Sequence, residues 1–274
     1  MRIRLLLSGL LSGLLLSGVR LDAETGTAPS LEFFPGERLF PKLLADGIAE
    51  QFSLNKDMMS RRFIGSIGGS QRIVQLTTDR FAIQAGIGAT VYASLVRKPS
   101  MLEVVTVDFF VDFPLDIRFS DRIAVRTGWG HNSAHLADDG IVVVGLSPIN
   151  YAKDYIPLLG VYTLPIVGGF VYGGMRFDYF SLPEQGMHYI FQCGTEFGNI
   201  VLIPGFRGYG AIDIKLKSEA AWGSTQSYQL GVKMLEHGAS AVRFSYTYRT
   251  GIDDRGQFYK EHVTISMLGV YFDF

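Results

Sequence analysis

His131 and Ser133 stand one residue apart in the segment His131-Asn132-Ser133. On an extended strand that spacing puts both side chains on the same face. A serine hydroxyl attacks an ester only when a neighbouring imidazole accepts its proton, so the pair reads as a candidate nucleophile and base for acyl transfer. Such a pair also needs a group that orients the imidazole. The sequence offers Glu103, which shares the face but lies several residues beyond both, and Asp138 and Asp139, which reach the ring only if a loop folds back.

The chemistry depends on the strand that displays these residues and on its neighbours. From Val105 to Phe119 the odd positions are Val105, Val107, Phe109, Val111, Phe113, Leu115, Ile117 and Phe119, whereas the even positions include Asp108, Asp112, Asp116 and Arg118. Successive strand side chains alternate between faces, giving one oily and one charged surface. Soluble strands average about 5–6 residues, whereas a tilted strand crossing a bilayer needs about 9–11. Phe81 to Val96, Val171 to Tyr179, Ile212 to Lys217 and Val242 to Arg249 repeat the alternation. The pattern predicts an all-β fold: a transmembrane, antiparallel, up-and-down β-barrel of about twelve strands.

The predicted strands are Ile48–Asn55, Arg62–Leu76, Phe81–Val96, Glu103–Phe119, Ile123–Ser133, Asn150–Tyr162, Val167–Phe180, His188–Phe197, Arg207–Lys217, Thr225–Leu235, Ala239–Thr250 and His262–Phe274. Short connections (Thr77–Arg80, Ser120–Arg122, Glu236–Gly238) alternate with the longer Ala134–Ile149 and Gly251–Glu261. Short periplasmic turns and long outer loops are the asymmetry of an outer-membrane barrel. In this phase Phe109 lies opposite Ser133 and Val111 opposite His131. Ile123, Val125, Thr127, Trp129, His131 and Ser133 then share the lipid-facing side, the last two near the outer rim.

Met1 to Ala23 has a basic start, an apolar centre from Leu5 to Val19 and a small residue at Ala23, the pattern of a secretory signal peptide. Residues 24–47 hold Phe33, Phe34, Phe40, Leu43 and Leu44, too apolar for a free linker. They are expected to cover the periplasmic mouth or to lie inside the barrel as a plug, leaving 48–274 as the barrel domain. The chain's 32 glycines exceed the usual ~7% share, as curved strands and tight turns require. Its single cysteine, Cys193, has no intramolecular partner for a disulfide. A net charge of −1 without a basic cluster argues against nucleic acid. Gly65-Ser66-Ile67-Gly68-Gly69 lacks the lysine and helix of a phosphate loop, and no other motif calls for a cofactor or a metal.

The inward face carries Asp108, Asp112, Asp116, Arg118, Arg122, Arg126, Arg176, Asp178, Asp213, Lys215, Lys217, Arg243 and Arg249. Both signs occur on neighbouring strands, so these charges pair across the interior or line a narrow path. A barrel of about 8 strands is filled by side chains and one of 16–18 is open. Twelve lies between.

Several motifs resemble a bacterial family known as domain-of-unknown-function family 1207. They are Phe34-Pro35-Gly36-Glu37-Arg38-Leu39-Phe40-Pro41-Lys42-Leu43-Leu44-Ala45-Asp46, His131-Asn132-Ser133-Ala134-His135-Leu136-Ala137-Asp138, Ile149-Asn150-Tyr151, Gly256-Gln257-Phe258-Tyr259 and Gly269-Val270-Tyr271-Phe272. They run in the same order over most of the chain, although the family carries Gly where Ala137 stands. The resemblance implies an outer-membrane barrel and no established activity. The terminal Phe274 on an alternating last strand is similar to the signal by which Gram-negative outer-membrane proteins engage the barrel assembly machinery. His131 and Ser133 resemble the membrane-facing His-x-Ser pair of the outer-membrane phospholipase A and the lipid A deacylase, both of which have Asn where Ala134 follows here.

Two functions follow as expectations. The first is a structural or narrow-pore outer-membrane barrel. In that case His131, Ser133 and His135 form a polar collar against outer-membrane lipids and lipopolysaccharide, and Asp138 and Asp139 are loop carboxylates near its divalent ions. The second is a surface lipid esterase, a serine acyl hydrolase using His131 and Ser133.

Overall fold

A computed structural model describes residues 28–145, 147–165, 168–237 and 240–274. The expected signal peptide, Met1–Ala23, lies outside the described residues. Thirteen strands form one sheet: β1 (Ser30–Phe33), β2 (Phe52–Asp57), β3 (Arg62–Thr77), β4 (Ala82–Arg97), β5 (Leu102–Arg118), β6 (Ile123–Leu136), β7 (Tyr151–Leu164), β8 (Gly169–Leu182), β9 (His188–Ile203), β10 (Phe206–Lys217), β11 (Gly223–His237), β12 (Ser240–Ile252) and β13 (His262–Asp273). A short helix, α1 (Asp138–Val144), follows β6. Every pairing is antiparallel; from β2 to β13 each strand pairs with its sequence neighbours, and β13 pairs with β2, closing β2 to β13 into a twelve-stranded up-and-down barrel, with β1 added on β3.

Alternation becomes an inside-out distribution. On β5, Phe109 and Phe113 are 41% and 45% exposed, whereas Asp108 between their neighbours is fully buried. Arg243, Lys153 and Asp178 are likewise fully buried. A water-soluble domain buries the oily face; here it forms the outer surface, as a bilayer requires. Closure removes the sheet edges, so nearly all strand backbone groups pair within the wall. Among the described residues no helix is long and apolar enough to cross a membrane.

The wall's first position is split between two short strands. β1 pairs with the C-terminal end of β3 (Phe33 with Val74), and β2 pairs with its N-terminal part (Ser53 with Ser66). Between them Phe34 turns at φ 53°, and Pro35 and Pro41 keep the chain out of the ladder. Residues 34–51 enter the lumen, where buried Phe40 and Leu43 pack on Leu159, Val161 and Tyr172. The sequence placed the first strand at Ile48–Asn55; it starts four residues later because Ile48, Ala49 and Glu50 belong to the lumenal segment. β9 extends to Ile203, six residues past its expected end. β6 runs to Leu136 and so keeps His135 in the strand.

Candidate functional site

The barrel interior is filled from both ends. From the end that holds the short turns after β3 and β5, Lys42 pairs with Asp273 at 2.7 Å, Asp46 with Lys215 at 2.6 Å, and the Leu44 amide donates to Glu196. From the opposite end, the loop of residues 253–261 folds inward. Its Asp254 lies 2.8 Å from Lys217, the Gly256 amide donates to Asp108 at 2.7 Å, and Arg255 lies 4.1 Å above the Tyr92 ring. The two stoppers meet where Arg255 Nη2 donates to the Gly47 carbonyl at 2.5 Å. Burial alone pushes the Asp254 carboxyl up, but Lys215, Lys217 and Arg249 around it hold it well below the usual carboxylate range.

Most predicted lumenal charges are matched by a neighbour. Arg126 forks onto Asp116 (2.7 and 2.9 Å), Arg176 and Lys153 share Asp178 (2.8 and 2.9 Å), and Arg243 reaches Asp273 at 2.5 Å. Asp213 accepts from Tyr172 at 2.7 Å and Gln192 at 2.6 Å, and Asp112 accepts from Tyr155 at 2.7 Å. Arg249 is buried beside Asp254, and Arg118 is half-buried at the C-terminal end of β5. Arg122 departs from the expectation. It sits exposed in the turn between β5 and β6, because the turn takes up residues 119–122 and leaves no strand position there.

On the outer surface of β6, His131 and Ser133 stand on the lipid side near the outer end. The register is Phe109 opposite Ser133 and Val111 opposite His131, as the phase required. On the other flank, His131 pairs with Asp154 of β7, and its Nδ1 lies 2.7 Å from Asp154 Oδ1. That contact assigns the proton to Nδ1, which donates to the carboxylate and leaves Nε2 as an acceptor. Trp129 stacks on the imidazole (6.4 Å between centroids, 21° between planes) and donates from its indole to the Tyr179 hydroxyl at 2.7 Å. The Ser133 hydroxyl makes no hydrogen bond among the described residues. It stands two positions along the strand from the ring, and catalytic pairs commonly tighten only with substrate bound.

The sequence missed Asp154 as the orienting group. Asp139 instead accepts from the Val104 amide at 3.3 Å, and Glu103 pairs with Lys98 at 3.3 Å, so neither serves the imidazole. The one available signal was a carboxylate at the outward phase Ala152, Asp154, Ile156, Leu158. His135 meets Phe109 edge-on at 5.9 Å. Asp138 and Asp139 open α1. Among the described residues no group of three His, Cys, Asp or Glu is placed to hold a metal ion.

A family model described as "Protein of unknown function (DUF1207)" matches residues 20–274. The chain belongs to this family. No curated protein matches the DUF1207 chain. Among solved structures it is similar to OmpT, an outer membrane protein of Vibrio cholerae, at 11% identity and a TM-score of 0.39, covering 90% of this chain and 99% of that one. It is also similar to an anion-selective porin from Comamonas acidovorans, at 8% identity and a TM-score of 0.35, covering 81% and 87%. The barrel assignment for this DUF1207 protein rests on its own strand pairing and its inside-out burial.

Proposed function

We propose that this protein is an outer-membrane lipid acyl hydrolase carried on a barrel whose lumen is closed. The observation that carries this reading is the 2.7 Å contact between His131 and Asp154 on the lipid-facing wall beside Ser133. A nucleophile, a base and a carboxylate that fixes the base's tautomer are the three roles that acyl transfer by serine needs. Lumen occlusion favours this reading over a pore, since both ends are stoppered by paired charges.

In the mechanism, Ser133 Oγ gives its proton to His131 Nε2 and attacks the acyl carbonyl of a membrane lipid. Asp154 stabilises the imidazolium that results. The imidazolium then protonates the departing alcohol of the lipid headgroup as the ester C–O bond breaks, leaving an acyl-Ser133. Residence near the outer end of β6 directs the site to outer-leaflet lipids, including the ester-linked acyl chains of lipopolysaccharide.

Release of fatty acid from phospholipid and from lipid A by the refolded protein tests the activity. Wild type should release fatty acid and Ser133→Ala should not. Equal rates for the two would remove the hydrolase reading and leave the polar collar.

A further inference from the structure

The ladder between β6 and β7 is broken beside this site. Arg126 pairs with Leu159 and Gly130 with Tyr155 in the same register, but the three positions between, 127–129 against 156–158, do not pair. The cause is at the centre of the break, where Gly128 faces Pro157. Proline has no amide hydrogen to donate. The 128–157 rung and its neighbour 129–156 both need the bond that proline cannot donate, and the ladder is open across all three positions. Gly128 has φ +139°, a conformation open to glycine, and a Cβ there would overlap the Phe113 carbonyl. Pro114 breaks the β4–β5 ladder opposite Gly86 in the same way, so a row of prolines and glycines crosses this part of the wall.

A cavity of about 100 Å³ lies directly behind the break, with Pro157, Trp129, Tyr155, Asp112 and Glu50 in its lining. Its volume and polar lining suit several water molecules. Arg38 and Lys42 line both this cavity and the periplasmic vestibule of about 640 Å³, so the two adjoin. Trp129 belongs to the cavity lining and is also 37% exposed on the outer face, where its bond to Tyr179 carries it across β7. It therefore roofs the break. On the lipid side, Phe109, Phe113 and Ile156 surround the site and offer no water.

We propose that the wall between β6 and β7 is a lateral water port, which delivers the hydrolytic water from the lumenal cavity to the acyl-enzyme on the lipid face. The proposal rests on the hydrolase reading. The step balances: His131 takes a proton from the water, whose oxygen adds to the acyl carbonyl. The bond from that carbon to Ser133 Oγ then breaks, the proton passes to Oγ, and a fatty acid leaves.

The port predicts a separation of the two half-reactions. With p-nitrophenyl laurate in micelles, the burst of nitrophenol reports acylation and the steady rate reports deacylation. Pro157→Ala restores the missing donor opposite Gly128, and closure of the ladder is read as slowed amide exchange at Gly128 and protection of the new amide at position 157. The expected result is an unchanged burst with a steady rate lowered about 10-fold, an added barrier of about 1.4 kcal/mol. An unchanged steady rate despite slowed exchange overturns the port, as does a parallel fall of burst and steady rate. Should Pro157→Ala not assemble, Tyr179→Phe releases the Trp129 roof and should raise the steady rate alone; no rise there overturns the port as well. Wild type without a Ser133-dependent burst is the failure of the hydrolase reading itself, and so is told apart.

Discussion

Asp154 does two jobs for the imidazole beside it, fixing its tautomer and its orientation. Asp154→Ala should therefore slow fatty-acid release by about 10²–10⁴, because His131 then loses the carboxylate that holds it in place as the general base. Asp154→Asn should fall between, because an amide oxygen still accepts from Nδ1 but brings no charge; initial rates on lipid A measure both. Lys215 is the residue on which the lumenal packing most depends, since it faces Asp46 at 2.6 Å and Asp254 at 3.4 Å in full burial. Lys215→Met leaves those carboxylates uncompensated and should cost about 3–5 kcal/mol in urea unfolding of the refolded barrel. His131 and Ser133 were legible from spacing alone, and so was their phase. Asp154 was not, because residues 137–150 separate β6 from β7 and no local rule fixes the register across such a connection.

At the scale of elements, two-sidedness was the legible property. It survives wherever lipid and lumen impose opposite demands, which is why β3 to β8 and β10 to β13 fell within a few residues of their expected bounds. It fails where those demands lapse. Ile200, Val201, Leu202 and Ile203 at the end of β9 are apolar on both faces, so no alternation marks the strand past Phe197. β1 was hidden because four residues are too few to show a period inside a segment whose apolar residues read as a plug. The outward face itself predicts a depth-dependent penalty. Val91 points outward near the middle of β4, and Val91→Arg should cost about 2–4 kcal/mol in refolding titrations into lipid.

For the whole molecule, the sequence left a twelve-stranded lumen undecided between pore and plug, since either can hold mixed charges. What decides is long-range pairing: Lys42 with Asp273, Lys215 with Asp46, Arg255 with Gly47. The outer stopper should resist acid. Asp254 is held below its ordinary value, so its contribution is present above the unfolded carboxylate pKa of about 3.9 and is lost only as pH falls through the depressed folded value. Amide exchange of residues 253–258, corrected for the intrinsic pH dependence, should stay slow below that ordinary pKa; release of the loop there would contradict the charge arrangement. The split first strand offers a second test. β1 and β2 follow one another along β3, so replacing residues 34–52 by about seven extended residues should complete the strand at one residue per rung. That chain should still assemble but unfold more readily, having lost the packing of Phe40 and Leu43.

The claim beneath all of this is that a lipid-facing serine is made nucleophilic by its neighbours on two adjoining strands. An alkyl fluorophosphonate reacts covalently with such a serine and leaves ordinary ones alone, and intact-protein mass spectrometry followed by peptide mapping finds the adduct. One adduct is expected, on Ser133, in the folded barrel, forming much more slowly in His131→Ala and absent after unfolding. A folded wild-type barrel that stays unmodified, or one modified equally fast in His131→Ala, would contradict it.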